Sequence, residues 1–194
     1  GSNYRVTLLE QVYELTNEDE LTDLKKRVRS RGYYPYLTNP DEIAELEKDP
    51  ERDSQIFLQE VLKVVQQWMD LAEKKLEGTG MKVYCCPGND DVDEVDAIIR
   101  ASKSVVLAEG DVTVLNSGHE MIASGWSNRT PWNTHREEDE DQLKVRYEAM
   151  TSRLNDPGNA IFNIHVPPFK SNLDEAPELD ENLRPKMAGQ ALKA

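Results

Sequence analysis

Cysteine is nearly absent from this chain: there are two, and they are neighbours, Cys85 and Cys86, in an apolar run. Adjacent residues of a strand point to opposite faces, so the pair is poorly placed to bridge or to chelate one ion together. Buried, reduced thiols in a cytoplasmic protein account for them. Long apolar runs are also missing. None approaches the roughly 20 residues that span a bilayer, and the N-terminus lacks the basic-then-apolar order of a signal peptide. No membrane association is expected. Basic residues are outnumbered by acidic ones, 23 to 37, for a formal net charge of -14. A nucleic-acid backbone has to be met by clustered Lys and Arg, so no nucleic-acid partner is expected. The same field favours cations, although most of those carboxylates serve as a solvated surface. With 194 residues, the chain is long enough for one sizeable domain with a core.

The first third reads as helical. Thr16 to Glu20 offers an N-cap followed by acids, with Leu21, Leu24 and Val28 at helical spacing and Gly32 as the stop. Asn39-Pro40 opens a short helix that ends before Pro50. A long helix is predicted from about Arg52 to Glu77, its apolar residues recurring at three and four, and Gly78-Thr79-Gly80 breaks it. From Met81 the period changes. Strands are predicted at 81–86, 104–107, 111–115, 120–124 and 160–164, with helices at 91–101 and 136–154 between them. Glu137 to Asp141 are five consecutive acids, read as the solvated start of that last helix. Alternating strands and helices indicate an α/β layered fold. The expected organisation is a mainly helical segment, 1–80, covering the sheet; a central α/β portion, 81–176; and a loop or tail, 177–194.

Two places carry chemistry. Pro87-Gly88-Asn89-Asp90-Asp91 follows a strand and precedes a helix, which is where open α/β sheets put ligands. Asn89 offers a neutral oxygen to a cation, and Asp90 a carboxyl group for acid–base work. Asp91 and Glu94 also have the form of a capping box, which explains the acids without any ligand. In Asn163-Ile164-His165-Val166-Pro167-Pro168-Phe169, two prolines end a strand at a histidine. An imidazole there can turn into the crevice and hold a metal. A structural histidine is the alternative.

In this order the two places resemble the calcineurin-like metallophosphoesterase family. Gly88-Asn89-Asp90 matches its Gly-Asn-His or Gly-Asn-Asp motif, and His165-Val166-Pro167-Pro168 matches its strand-end histidine. The resemblance covers about residues 81 to 176 and implies a layered sheet with flanking helices, incomplete in this chain. It implies that Asn89 and His165 are oxygen and nitrogen ligands to one metal. Asp90 would be an atypical catalytic acid beside them, made a better donor by like-charge repulsion from Asp91 and Asp93. The implied reaction is two-metal hydrolysis of a phosphomonoester or phosphodiester, with manganese, iron or zinc as the divalent ions. In the Ser-, Asn- and Pro-containing loop around Trp126 to His135, Asn128 and Arg129 are candidate substrate contacts, Arg129 as a phosphate partner. A plain surface loop is the alternative.

The family's Asp-x-His, Gly-Asp-x-x-Asp and Gly-His-x-His motifs are absent. Gly110-Asp111 and Gly118-His119 match only in part and fall in the wrong order. One asparagine and one histidine cannot hold a dinuclear centre, so the chain is expected to be a fragment, inactive alone. The remainder of the enzyme or a second chain would be its partner, and metal need not bind to this piece by itself. The competing expectation is a non-catalytic α/β protein that binds a partner through its helical first third.

Overall fold

The computed structural model describes residues 3–8, 11–176, 180–181 and 192–193. Helix and strand are mixed, and the sheets are small. The chain divides into two compact units, Gly1–Val65 and Gln66–Ala194.

The first unit opens on two strands, in a segment expected to be mainly helical. β1 (Tyr4–Leu8) and β2 (Gln11–Leu15) form an antiparallel hairpin, with Tyr4 opposite Leu15 and Leu8 opposite Gln11. The alternation of Tyr4, Val6 and Leu8 with Arg5 and Thr7 has period two, which a strand requires. Its apolar face packs on α1 (Glu18–Arg29), around Leu15, Leu21, Leu24 and Val28. Asn17 caps α1 by accepting from the Glu20 N–H, and Asn39 does the same for α2 (Pro40–Leu46). α3 (Pro50–Leu76) begins in this unit and ends in the second.

In the second unit, β3 (Val83–Cys85), α4 (Val95–Ala101) and β4 (Val105–Leu107) form a parallel crossover. A parallel pair needs such a connection, and α4 buries Val95 and Ile99 in making it. Glu73 of α3 fastens the α4–β4 turn by accepting from Lys103 N–H and Ser102 Oγ. Beyond β4, Glu109 makes a parallel bridge to Ala123 of β6 (Glu120–Ser124). Gly110, at φ 75°, then turns the chain back as β5 (Val112–Val114), antiparallel to β6.

β7 (Ser127–Asn128) pairs in parallel with β8 (Glu137–Glu138). α5 (Glu140–Thr151) follows, and β9 (Ile161–Ile164) pairs in parallel with β6, with Ser124 opposite Ile164. One face of β6 packs Met121 and Ala123 against Ala108, Tyr84 and Cys86; the other packs Ile122 against Met150, Leu154 and Tyr147. β10 (Glu175–Ala176) pairs with β11 (Leu192–Lys193), and most of the expected tail, 177–194, lies outside the described residues.

Two expectations need correcting. The predicted helix over 91–101 starts only at Val95, because the Asp91 carboxylate accepts from the Gly88 N–H, behind it, rather than capping the residues ahead. The predicted helix over 136–154 starts at Glu140. Glu137 and Glu138 are strand, and Glu137 is buried at 5% exposure rather than solvated. No helix among the described residues is long and apolar enough to cross a membrane.

Candidate functional site

The parallel segments β3, β4 with its Glu109 extension, β6 and β9 run the same way, so their carboxyl ends lie along one edge. In open α/β sheets that edge is the ligand-binding crevice. Each strand delivers a site residue there: Gly88-Asn89 after β3, Glu109 after β4, Gly125 after β6 and His165 after β9. Backbone pairing extends to the ends, since His165 N–H donates to Ser124 O at 2.9 Å and Ala108 N–H to Cys85 O at 2.9 Å.

Glycine makes the convergence possible. A Cβ on Gly125 would fall 1.5 Å from Pro87 O, and one on Gly88 would stand 3.1 Å from His165 Cε1. Only bare backbone lets the end of β6 approach the end of β3, and lets the imidazole lie over Gly88. The result joins two residues 76 apart in sequence: His165 Nε2 is 2.9 Å from Asn89 Oδ1. An amide oxygen only accepts, so the imidazole donates through Nε2–H in this arrangement. Two donors held roughly 2.1 Å from one cation and at right angles to each other stand about 3 Å apart. The donor set and its spacing therefore fit two positions on one cation. To ligate, His165 would carry its proton on Nδ1 instead.

Asn89 is held from behind. Its Nδ2 donates to Thr134 Oγ1 at 2.8 Å, and its backbone oxygen accepts from Arg136 N–H at 2.9 Å. Thr134 donates its own hydroxyl proton to Glu137 Oε1 at 2.6 Å. Glu137 collects four hydrogen bonds, two from Thr130 and two from Thr134. Burial alone would raise its pKa, but these bonds outweigh that and hold it at about 2.

Arg136, 1% exposed, braces the same loop. Its guanidinium donates to Asp91 O at 3.1 Å, Val92 O at 3.2 Å and Asp96 Oδ1 at 2.7 Å. Glu109 ties β4 to β6 by accepting from Gly125 N–H at 2.6 Å, and also takes the Cys86 thiol at 3.1 Å; its other oxygen is buried without a hydrogen-bond partner. Burial pushes the Cys86 thiol well above its usual pKa, and the Glu109 carboxylate adds to the effect; burial also raises Cys85.

The other expected site residues are placed differently. Asp90 is exposed beside Asn89, while Asp91 is engaged by Gly88 and Asp93 lies 3.6 Å from Arg136. Arg129 makes an exposed pair with Asp139 at 3.1 Å, of a kind that contributes little. Asn128 lines an apolar groove of about 750 Å³ with Leu143, Tyr147, Phe162 and Ile164, whose β9 residues alternate with Asn163 and His165. No hydrogen bond among the described residues links Asn128 or Arg129 to the Asn89–His165 pair. His119 bonds Ser117 at 3.0 Å, and Asp111 pairs with Arg153.

Thr134, Glu137, Arg136, Glu109 and Gly125 escaped the reading of the sequence. Gly125 alone carried a signal, a glycine directly after a strand, as Gly88 nearly is. Among the described residues, no group of three or more His, Cys, Asp and Glu side chains is placed to hold a metal ion. No family model matches the chain, and neither a curated protein nor a solved structure shows a significant match to it.

Proposed function

We propose that this chain is the central part of a metal-dependent phosphoesterase of the calcineurin-like type, built on that family's layered sheet. The observation that carries it is the meeting of Asn89 Oδ1 and His165 Nε2 at 2.9 Å, from the carboxyl ends of two parallel strands. Motif order alone pairs these residues, and the carboxyl end of an open sheet is where such a pair is useful. In this reading Asn89 and His165 hold one cation of a pair, Mn, Fe or Zn, and the rest of the ligand set comes from elsewhere in the enzyme.

When bound, such ions supply Lewis acidity at the phosphoryl oxygens and an activated water at neutral pH. The chain's own residues position and protonate. Asn89 offers a neutral oxygen that Thr134 keeps in place, so the site gains a ligand without added negative charge. His165 offers a nitrogen from a strand end stiffened by Pro167-Pro168. Asp90 is exposed next to Asn89, and in this reading it would pass a proton to the leaving-group oxygen.

The test is hydrolysis of p-nitrophenyl phosphate and its bis ester by the product of the complete gene with Mn²⁺. Activity is expected on at least one ester and should vanish in Asn89→Ala and His165→Ala. Full activity in either variant would remove the proposed ligands, and no activity in the unaltered enzyme would remove the phosphoesterase reading.

A further inference from the structure

An asparagine amide can be turned over, and only one orientation gives a cation its oxygen. We propose that Glu137, acting through Thr134, is the positioning residue that fixes the Asn89 amide with its carbonyl oxygen toward His165. The assignment rests on the reading of Asn89 and His165 as ligands, but the relay itself follows from donor and acceptor arithmetic.

The chain starts at Glu137, whose ionised carboxylate can only accept. Its Oε1 takes the Thr134 hydroxyl proton at 2.6 Å and the Thr134 N–H at 3.0 Å. With its one proton committed, Thr134 Oγ1 has only lone pairs left to offer. It can therefore face only a donor, and Asn89 Nδ2, 2.8 Å away, is that donor. The amide oxygen is thereby turned to the opposite side, where His165 Nε2 lies at 2.9 Å. Three consecutive bonds set one bit of information, the sense of an amide.

The anchor is buried and paired. Glu137 is 5% exposed, and its strand is paired to β7, with Ser127 opposite Glu137. Thr130 N–H donates to the other oxygen, Oε2, and Thr130 Oγ1 donates to Oε1. A carboxylate needed only as a surface charge has no use for four donors and a buried place. Partners of this kind orient metal ligands, and their loss costs about 10–100-fold in affinity.

The test replaces the hydroxyl by a methyl group of nearly the same shape, Thr134→Val, with Thr134→Ala alongside in case valine is not accommodated. In the unaltered chain, NMR should show nuclear Overhauser contacts from the Asn89 Nδ2 protons to the residue 134 methyl group. In Thr134→Val these should weaken, and contacts to His165 Hε1 should appear as the amide turns over. Thr134→Ser, which keeps the hydroxyl but lacks the methyl group, should show no Asn89 Nδ2 contacts to His165 Hε1, as in the unaltered chain. An unchanged amide in both Thr134→Val and Thr134→Ala overturns the proposal, as does a turned amide in Thr134→Ser.

Mn²⁺ titration of the complete gene product by calorimetry should show about 10–100-fold weaker binding in Thr134→Val, with Thr134→Ser restoring it. If the unaltered enzyme binds no Mn²⁺, the ligand reading falls and the amide result still decides the relay.

Discussion

Replacing Arg136, 1% exposed, with methionine should unfold the site-bearing unit far more readily than the loss of one basic residue from a charged sequence suggests. Methionine fills much of the same volume but returns none of the hydrogen bonds. Three are lost, to Asp91 O, Val92 O and Asp96 Oδ1. Bonds to a charged group contribute about 1.5–3 kcal/mol each to net stability when fully buried. Asp96 keeps 22% side-chain exposure, so water takes back part of its loss, as it does for other accessible ion pairs. The net cost is then about 3 kcal/mol, near the lower end of the range for breaking a buried pair from one side. For a chain of this size that lowers the melting temperature by roughly 10 °C. Lysine should rescue little, because a single ammonium cannot span two carbonyls and a carboxylate.

Asp93→Asn is the control. Its carboxylate is 3.6 Å from Arg136 and 79% exposed, so it should cost less than about 0.5 kcal/mol. Urea unfolding can be followed by Trp126, which lies under the Arg146 guanidinium at 4.0 Å, in a background with Trp68 and Trp132 replaced by phenylalanine. A loss in Arg136→Met below about 1 kcal/mol, the size of one ordinary hydrogen bond, would refute the reasoning.

Gly125→Ala places a Cβ 1.5 Å from Pro87 O, a backbone atom that cannot rotate away. It should cost at least the roughly 3 kcal/mol at the upper end of ordinary overpacking and separate Asn89 from His165; wild-type urea stability would count against it. Glu137, with a folded pKa of about 2 against an ordinary 4.5, stabilises the fold fully above pH 4.5 and loses that contribution as pH falls through about 2. The unfolded chain takes up this proton first, so the urea midpoint should fall with pH across that window, and more steeply than in Glu137→Gln; equal slopes would contradict the assignment. Cys86, raised by burial and by Glu109, should resist iodoacetamide at about pH 8, since only the thiolate attacks; alkylation at the rate of a free thiol, read by mass spectrometry, would show otherwise.

What was legible in the sequence was what is local. The helices from Asn39 to Leu76 announce themselves through caps and apolar spacing, and β3, β4, β5, β6 and β9 through short β-prone runs bounded by turn residues. Asn89 and His165 stood out because each follows a strand. Their meeting did not, since it depends on β6 pairing with β9 and on a glycine at 125. The hairpin of β1 and β2 was missed because its alternation is brief and its outward residues polar. Glu137 sits among five acids that look alike in one dimension. Only the folding of the preceding loop, which brings Thr130 and Thr134 onto it, makes one of them a buried anchor. Arg136 is likewise one basic residue among 23, and nothing near it in sequence marks it as interior.

β9 is the last strand on its side of the sheet, held by β6 alone. Docking it on β6, with Ser124 opposite Ile164, closes a loop of about 40 residues, at a chain-entropy cost of about 3 kcal/mol. The strand also leaves Ile161 and Phe162 half exposed, so little apolar burial opposes its release. The site is therefore coupled to the pairing of β9 with β6. Release of β9 would carry His165 away while Asn89 stayed braced by Thr134 and Arg136. A cation gripping both residues would act as a clasp on this edge, and slower amide exchange along β9 would be its signature.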